Sequence, residues 1–134
     1  MTAKTKKDRA LSLKDAFEVE FARREMERRK RDEAERKQQE EDLARATQLE
    51  AALQADPDFL AKRELVVDRR RYTVSLDHRD FRLAAYFEAG KASVTAADKR
   101  TASTSTAAPR KQQTVDTVEE ALAVIAQFLV DETR

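Results

Sequence analysis

The chain has no cysteine and only one histidine, and each scarcity removes a class of chemistry. Without cysteine, a single chain can form neither a disulfide framework nor a thiol nucleophile, and the usual cysteine-histidine zinc sites lack their ligands. One glycine in 134 residues also excludes the glycine-rich loops that bind phosphates and dinucleotides. We therefore predict no metal, no cofactor and no enzymatic activity.

Long apolar runs are also missing from the chain. No stretch approaches the roughly 20 apolar residues that a membrane-spanning helix needs. The basic start, Met1–Lys7, is not followed by the apolar segment of a secretory signal peptide. The sequence therefore predicts a cytoplasmic protein with no membrane span.

Charge is abundant, but neither sign dominates. Asp, Glu, Lys and Arg make up 40% of the residues, against an ordinary share of about 25%, and the net charge is only +1. The chain before Pro57 contains no glycine or proline and is dominated by strong helix formers. Ser12 can cap a helix, and Pro57 disfavours helical geometry in the residue before it. These features predict a disordered basic tail over residues 1–10 and a long charged helix over residues 11–56.

The two ends of this helix carry apolar side chains, whereas its middle does not. One end has an apolar residue at every fourth position from Leu13 to Phe21, and the other has Leu49 and Leu53 at the same spacing. Charged residues interrupt the heptad pattern between them, so the sequence predicts a partial coiled coil rather than a full leucine zipper. The candidate contacts with a partner helix are Leu13, Phe17, Phe21, Met26, Leu49 and Leu53.

The charges in the middle of the helix are sorted into two blocks. Residues 23–31 hold six basic and two acidic side chains, a net +4, and residues 32–42 hold two basic and six acidic ones, a net −4. An antiparallel pair of helices would lay each basic block on an acidic one, whereas a parallel pair would oppose like charges. Acidic residues also precede basic ones by four positions, as Glu20 precedes Arg24, which stabilises a single helix. The alternatives are a self-associating helix and a solvated helix that pairs its own charges.

Beyond residue 57 the pattern changes to alternating apolar and polar residues, which is typical of strands. Gly90, the only glycine, marks a turn within this region. The pattern predicts a three-stranded antiparallel meander with strands over residues 65–77, 80–88 and 91–97. A competing interpretation makes residues 80–89 a helix, because the segment contains helix-favouring leucine and alanine.

The end of the chain has the pattern of an amphipathic helix. Asp116 precedes it and Glu119 follows three residues later, as in a capping box. The predicted apolar face consists of Val118, Leu122, Ile125 and Leu129, widened by Ala121 and Phe128. The small, polar stretch over residues 101–109 predicts a flexible linker before this helix. The expected fold is α+β, with residues 57–134 forming a small β-β-β-α unit after the long helix.

This combination predicts a non-enzymatic protein-interaction or adaptor protein. The charged helix would select the partner, and the small α+β module would provide a docking surface. A chain this small buries a limited core, so help from a second chain or from the N-terminal helix is expected. We therefore predict a homodimer that also binds another protein.

The alternative is a nucleic-acid-binding accessory protein. An exposed aromatic ring among arginines can stack on a base while the cations contact phosphates. The acidic residues interspersed among these arginines would repel the same phosphates. The candidate nucleic-acid contacts are Arg23, Arg24, Arg28, Arg29, Arg71, Arg82 and Tyr86.

Overall fold

The computed structural model describes residues 12–100 and 109–134. Its elements, in chain order, are α1 (Leu13–Leu53), α2 (Pro57–Lys62), β1 (Val66–Arg70), β2 (Thr73–Asp77), β3 (Phe81–Glu88), β4 (Lys91–Asp98), β5 (Pro109–Val115) and α3 (Val118–Thr133). A long helix, an antiparallel sheet and a C-terminal helix make the fold α+β, as predicted. The predicted tail over residues 1–10 lies outside the described residues, and so do residues 101–108 of the predicted linker.

The helix α1 begins and ends close to the predicted positions. Ser12 caps it, since the Ser12 hydroxyl accepts a hydrogen bond from the Asp15 amide at 3.3 Å. The chain forms two compact units, Met1–Lys37 and Gln38–Arg134, so the division falls inside α1. Of the helices described, none is both long enough and apolar enough to cross a bilayer.

A short helix, α2, follows α1 and was not predicted. The Asp56 carboxylate accepts a hydrogen bond from the Phe59 amide at 3.2 Å, and Pro57 occupies the start of the helix. Proline fits there because its fixed φ suits the first turn. Its lack of an N–H costs nothing, because a backbone N–H at that position would have no hydrogen-bond partner within the helix. The sequence Asp-Pro therefore ends one helix and begins another.

The sheet has five strands in the order β1-β2-β3-β4-β5, and all neighbours are antiparallel. The prediction of three strands is wrong in number, because the segment 65–77 is two strands, β1 and β2, that reverse at Arg71 and Tyr72. Arg71 has a φ of +55°. Bulky side chains rarely adopt this left-handed conformation, so nothing in the residue types indicated a turn.

The fifth strand was also missed. Pro109, assigned to the linker by prediction, begins β5, and the following run of Arg-Lys-Gln-Gln-Thr is polar throughout. Only the last residue of β5, Val115, is described as buried, so the alternation that marks a strand is absent. In contrast, β3 and β4 match the predicted strands to within one residue, and the helical alternative for residues 80–89 is wrong.

One face of the sheet is covered and forms the core of the second unit. The strands contribute Val74, Leu76, Phe81, Leu83, Ala85, Phe87, Ala92, Val94, Ala96 and Val115. The helices contribute Ala46 and Leu49 from α1 and Ala121, Val124, Ile125 and Phe128 from α3. The second half of α1 thus supplies apolar surface that a β-β-β-α unit would lack.

The helix α3 is capped one residue later than predicted. Thr117, not Asp116, is the N-cap, and its hydroxyl accepts from the Glu120 amide at 3.1 Å. The Glu120 carboxylate accepts in return from the Thr117 amide at 3.2 Å, which completes the capping box. The buried face is also rotated from the prediction, because Val124 is buried and Leu122 is exposed.

Candidate interaction surfaces

The first turns of α1 present apolar side chains to solvent. Leu13 is 85% exposed, Phe17 62% and Phe21 58%, and the two phenylalanine rings stack with centroids 5.8 Å apart. We call these three residues the N-terminal stripe. Met26, also predicted to contact a partner helix, is exposed as well. Four of the six predicted contacts are therefore accessible.

The other two predicted contacts, Leu49 and Leu53, lie in the second unit. Leu49 is fully buried in the hydrophobic core of its own chain, and Leu53 packs partly buried against that core. Leu49 has no surface left for a second helix. Its apolar spacing along α1 predicted a partner helix, but the core of the same chain buries this side chain instead.

The charged side chains in the first half of α1 pair along the helix. Glu20 accepts hydrogen bonds from Arg23 and Arg24, and Arg28 forms salt bridges with Glu25 and Asp32. The hydrogen bonds from Arg23 and then from Arg24 lower the pKa of Glu20 from 4.5 to about 2. Three of the predicted nucleic-acid contacts, namely Arg23, Arg24 and Arg28, therefore already hold carboxylate partners.

A second group of cations on α1 has no such partner. Arg29, Lys30 and Arg31 form no salt bridge with any residue in the described part of the chain. Of the predicted nucleic-acid contacts on this helix, only Arg29 belongs to this group. These three adjacent side chains form a group of positive charge that is available to another molecule.

The uncovered face of the sheet carries Arg82 and Tyr86, as predicted. Both lie on β3 with Ala84 between them, and Tyr86 is exposed beside Thr73 and Ser93 on the neighbouring strands. Arg82 donates a 2.6 Å hydrogen bond to Asp77 on β2. Arg82 thus already has a carboxylate partner within the sheet, although Lys99 contacts the same Asp77 oxygen at 3.3 Å.

The third predicted contact on this module, Arg71, does not join Arg82 and Tyr86. Arg71 lies in the β1–β2 turn, where its guanidinium is 5.8 Å from the centroid of the Tyr72 ring. Arg69, in the same basic run, lies on the covered side and forms a 2.8 Å salt bridge with Glu50 of α1. Arg70, between them, lies on the uncovered face, so the run Arg69–Arg71 is divided among three places and does not form one patch.

Asp42 connects α1 to the β3–β4 hairpin, a role that the sequence did not indicate. It is only 4% exposed, and its carboxylate accepts from the Ala89 amide at 3.0 Å and from the Gly90 amide at 3.1 Å. Both turn residues have positive φ, 53° and 80°, as a two-residue type I′ hairpin requires. Gln38 donates a further hydrogen bond to Asp42 at 3.1 Å. The sequence did not indicate this tertiary contact because Asp42 is the last of several consecutive acidic residues, and the ones before it are exposed to solvent.

An apolar groove lies where the end of α1, α2 and α3 meet. Its principal apolar lining residues are Leu53, Phe59, Leu60, Leu122, Ile125 and Leu129. Phe59 and Leu122 are exposed, and Asp56 is the one charged residue among those lining the groove. This surface was not predicted because α2 was not predicted, although the Asp-Pro sequence at the start of α2 is a signal for a helix N-terminus.

Comparison of the chain with protein-family models, with curated proteins and with solved structures found no match in any of the three. Within residues 12–100 and 109–134, no three His, Asp or Glu side chains cluster closely enough to hold a metal ion.

Proposed function

We propose that this chain is a non-enzymatic protein-interaction protein that self-associates through α1, with two copies of the helix antiparallel. The second unit, with its sheet and α3, serves as an adaptor module that docks a further protein. The charge blocks of α1 set the orientation of the pair, and the apolar side chains contribute the affinity.

The observation that carries the proposal is the exposed apolar surface at the start of α1. Five large side chains within 14 residues are each more than half exposed, namely Leu13, Phe17, Val19, Phe21 and Met26. Scattered single apolar residues are normal on a surface, but Leu13, Phe17 and Phe21 share one side of α1, and a group of this kind is typical of an interaction site. A helix that carries such a group gains free energy by packing against another apolar surface.

The unpaired cations support the antiparallel orientation. Arg29, Lys30 and Arg31 lie next to the point where the basic block meets the acidic block, and none of them forms a salt bridge with a described residue. In an antiparallel pair they would face the block from Asp32 to Asp42 of the second copy. Asp42 itself is buried, so exposed members such as Glu35 and Glu41 would supply the negative charge.

Sedimentation equilibrium at low and high salt tests this function. We expect a dimer at micromolar concentration that weakens as salt is added, because exposed charge pairs are screened. Arg31→Glu should weaken the dimer, whereas Arg79→Glu, the same charge change at an exposed loop position of the second unit, should not. A chain that stays monomeric at every concentration would contradict the proposal.

Nucleic-acid binding is the second candidate, and the same unpaired cations favour it. Arg29, Lys30 and Arg31 could contact phosphates, and the exposed Tyr86 could stack on a base. Electrophoretic mobility shifts with DNA and RNA at two salt concentrations test this candidate. Binding that Arg31→Glu or Arg82→Ala abolishes, without loss of stability, would favour it over self-association.

A further inference from the structure

Two apolar surfaces of the chain are exposed at the same time. The N-terminal stripe has no cover in the first unit, and the apolar groove of the second unit leaves Phe59 42% exposed. Each surface is accessible in its own unit, so each can receive a segment of a second copy. An amphipathic helix in an apolar groove is a common mode of recognition.

We propose that the N-terminal stripe of one copy binds in the apolar groove of a second copy, and that the second copy does the same in return. This inference rests on the proposed function, because it needs the chain to self-associate. An antiparallel pair places the start of each α1 beside the end of the other, and the groove begins at that end with Ala52 and Leu53. Two-fold symmetry makes the two contacts equivalent and closes the assembly as a dimer.

The side-chain spacing of the stripe suits such a groove. Leu13, Phe17 and Phe21 are separated by four residues, so they lie on one side of α1 about 6 Å apart along its axis. The groove offers aliphatic side chains from three helices, with Phe59 and Leu122 at its exposed margin. Val19 lies two residues from Phe17 and therefore on the opposite side of α1, so it would stay outside the groove.

The charges beside the two surfaces are complementary and equally spaced. Beside the stripe, Lys14 precedes Glu18 by four residues, and on α2 the acidic Asp58 precedes the basic Lys62 by four. All four side chains are exposed, and none forms a salt bridge with a described residue. With the stripe parallel to α2, Lys14 meets Asp58 and Glu18 meets Lys62.

The end of α1 adds to this attraction. Its last turn contains no basic residue, so the partial negative charge of the helix C-terminus is not compensated there, and Asp56 lies three residues beyond the helix end. The stripe instead lies next to the most basic end of the chain. Residues 1–14 hold five basic and one acidic side chain, a net +4. Electrostatics therefore favours the start of α1 as the occupant of the groove.

Cross-linking of single-cysteine variants tests the contact directly, because the natural chain has no cysteine. One population carries Phe17→Cys and the other Phe59→Cys, so a disulfide between the two sites forms only between copies. We expect this pair to cross-link on mild oxidation. Val19→Cys replaces Phe17→Cys in one control, and Val130→Cys, exposed on α3, replaces Phe59→Cys in the other. Neither control pair should cross-link at a comparable rate.

A charge exchange tests the same contact without altering the apolar residues. Lys14→Glu should weaken self-association by about tenfold, and adding Asp58→Lys should restore it. Adding Asp68→Lys, on the uncovered face of the sheet, is the matched control and should give no rescue.

The outcomes separate this inference from the proposed function. Selective cross-linking of Phe17→Cys with Phe59→Cys, together with restored self-association on adding Asp58→Lys, supports both the groove contact and self-association. A dimer in which Phe17→Cys cross-links no faster than Val19→Cys, or in which Asp58→Lys gives no rescue, overturns the groove contact and leaves self-association standing. A monomer at every concentration overturns both.

Discussion

The two ends of α1 have similar apolar spacing but opposite environments. Near the start, Leu13, Phe17 and Phe21 are exposed, whereas near the end Ala46 and Leu49 are completely buried. The difference arises because the later residues pack against the sheet of their own unit, where apolar side chains of β2, β3 and β4 are available. Periodicity therefore identifies a face of a helix that needs cover, but it does not identify what covers it.

The comparison also holds for the acidic residues of α1. Glu20 is solvated and gains its partners from arginines one turn away, whereas Asp42 is buried and gains its partners from the backbone of a hairpin. A carboxylate in a charged helix can thus serve local helix stability or tertiary attachment. Burial distinguishes the two roles, since a buried acidic group needs every hydrogen bond satisfied.

The largest expected effect contrasts the two apolar ends. Leu49→Ala should lower the free energy of unfolding of the second unit by about 2–5 kcal/mol, because it leaves a cavity in a packed core. Phe17→Ala should stay within about 0.5 kcal/mol when measured at a concentration where the chain is monomeric, because the ring is exposed. Urea unfolding followed by far-ultraviolet circular dichroism measures both, since the helix α1 runs through the two units. Equal effects would show that the two ends do not differ as described.

The next effect contrasts two neighbouring acidic residues. Asp42→Ala should cost about 1.5–3 kcal/mol, because it leaves the Ala89 and Gly90 amides without their charged acceptor. Glu41→Ala, at an exposed position, should cost much less. Faster hydrogen exchange at the two turn amides should accompany Asp42→Ala alone. If the two variants unfold alike, Asp42 does not hold the hairpin to α1.

Much of the architecture followed from local patterns. Four features were predictable because residues close together in the sequence determine their apolar spacing or their caps. They are the long helix, its Ser12 cap, the strands β3 and β4, and the C-terminal helix. The β1–β2 turn and β5 were not predictable in this way. Arg71 adopts a conformation that its residue type disfavours, and the polar run of β5 is held by pairing with β4 rather than by burial.

The candidate surfaces were only partly predictable for the same reason. Exposure of the N-terminal stripe, of Arg82 and of Tyr86 agrees with the sequence pattern. The placement of Leu49 in the core, the attachment of Asp42 to the hairpin and the groove beside α2 depend on residues far apart in the chain. Tertiary contacts of this kind leave no local signal.

The smallest expected effect concerns the solvated carboxylate of Glu20. Hydrogen bonds from Arg23 and Arg24 lower its pKa to about 2, so the charged form is favoured in the folded helix. A lowered pKa means that the stabilisation is present above the ordinary value of 4.5 and is lost as the pH falls toward 2. Titration of the carboxyl carbon by NMR should show this low midpoint. Arg23→Gln should raise the pKa of Glu20 more than Arg24→Gln does, because the hydrogen bond from Arg23 is the largest cause of the shift. A wild-type midpoint near 4.5, or a larger rise with Arg24→Gln, would show that solvent rather than the arginines controls this group.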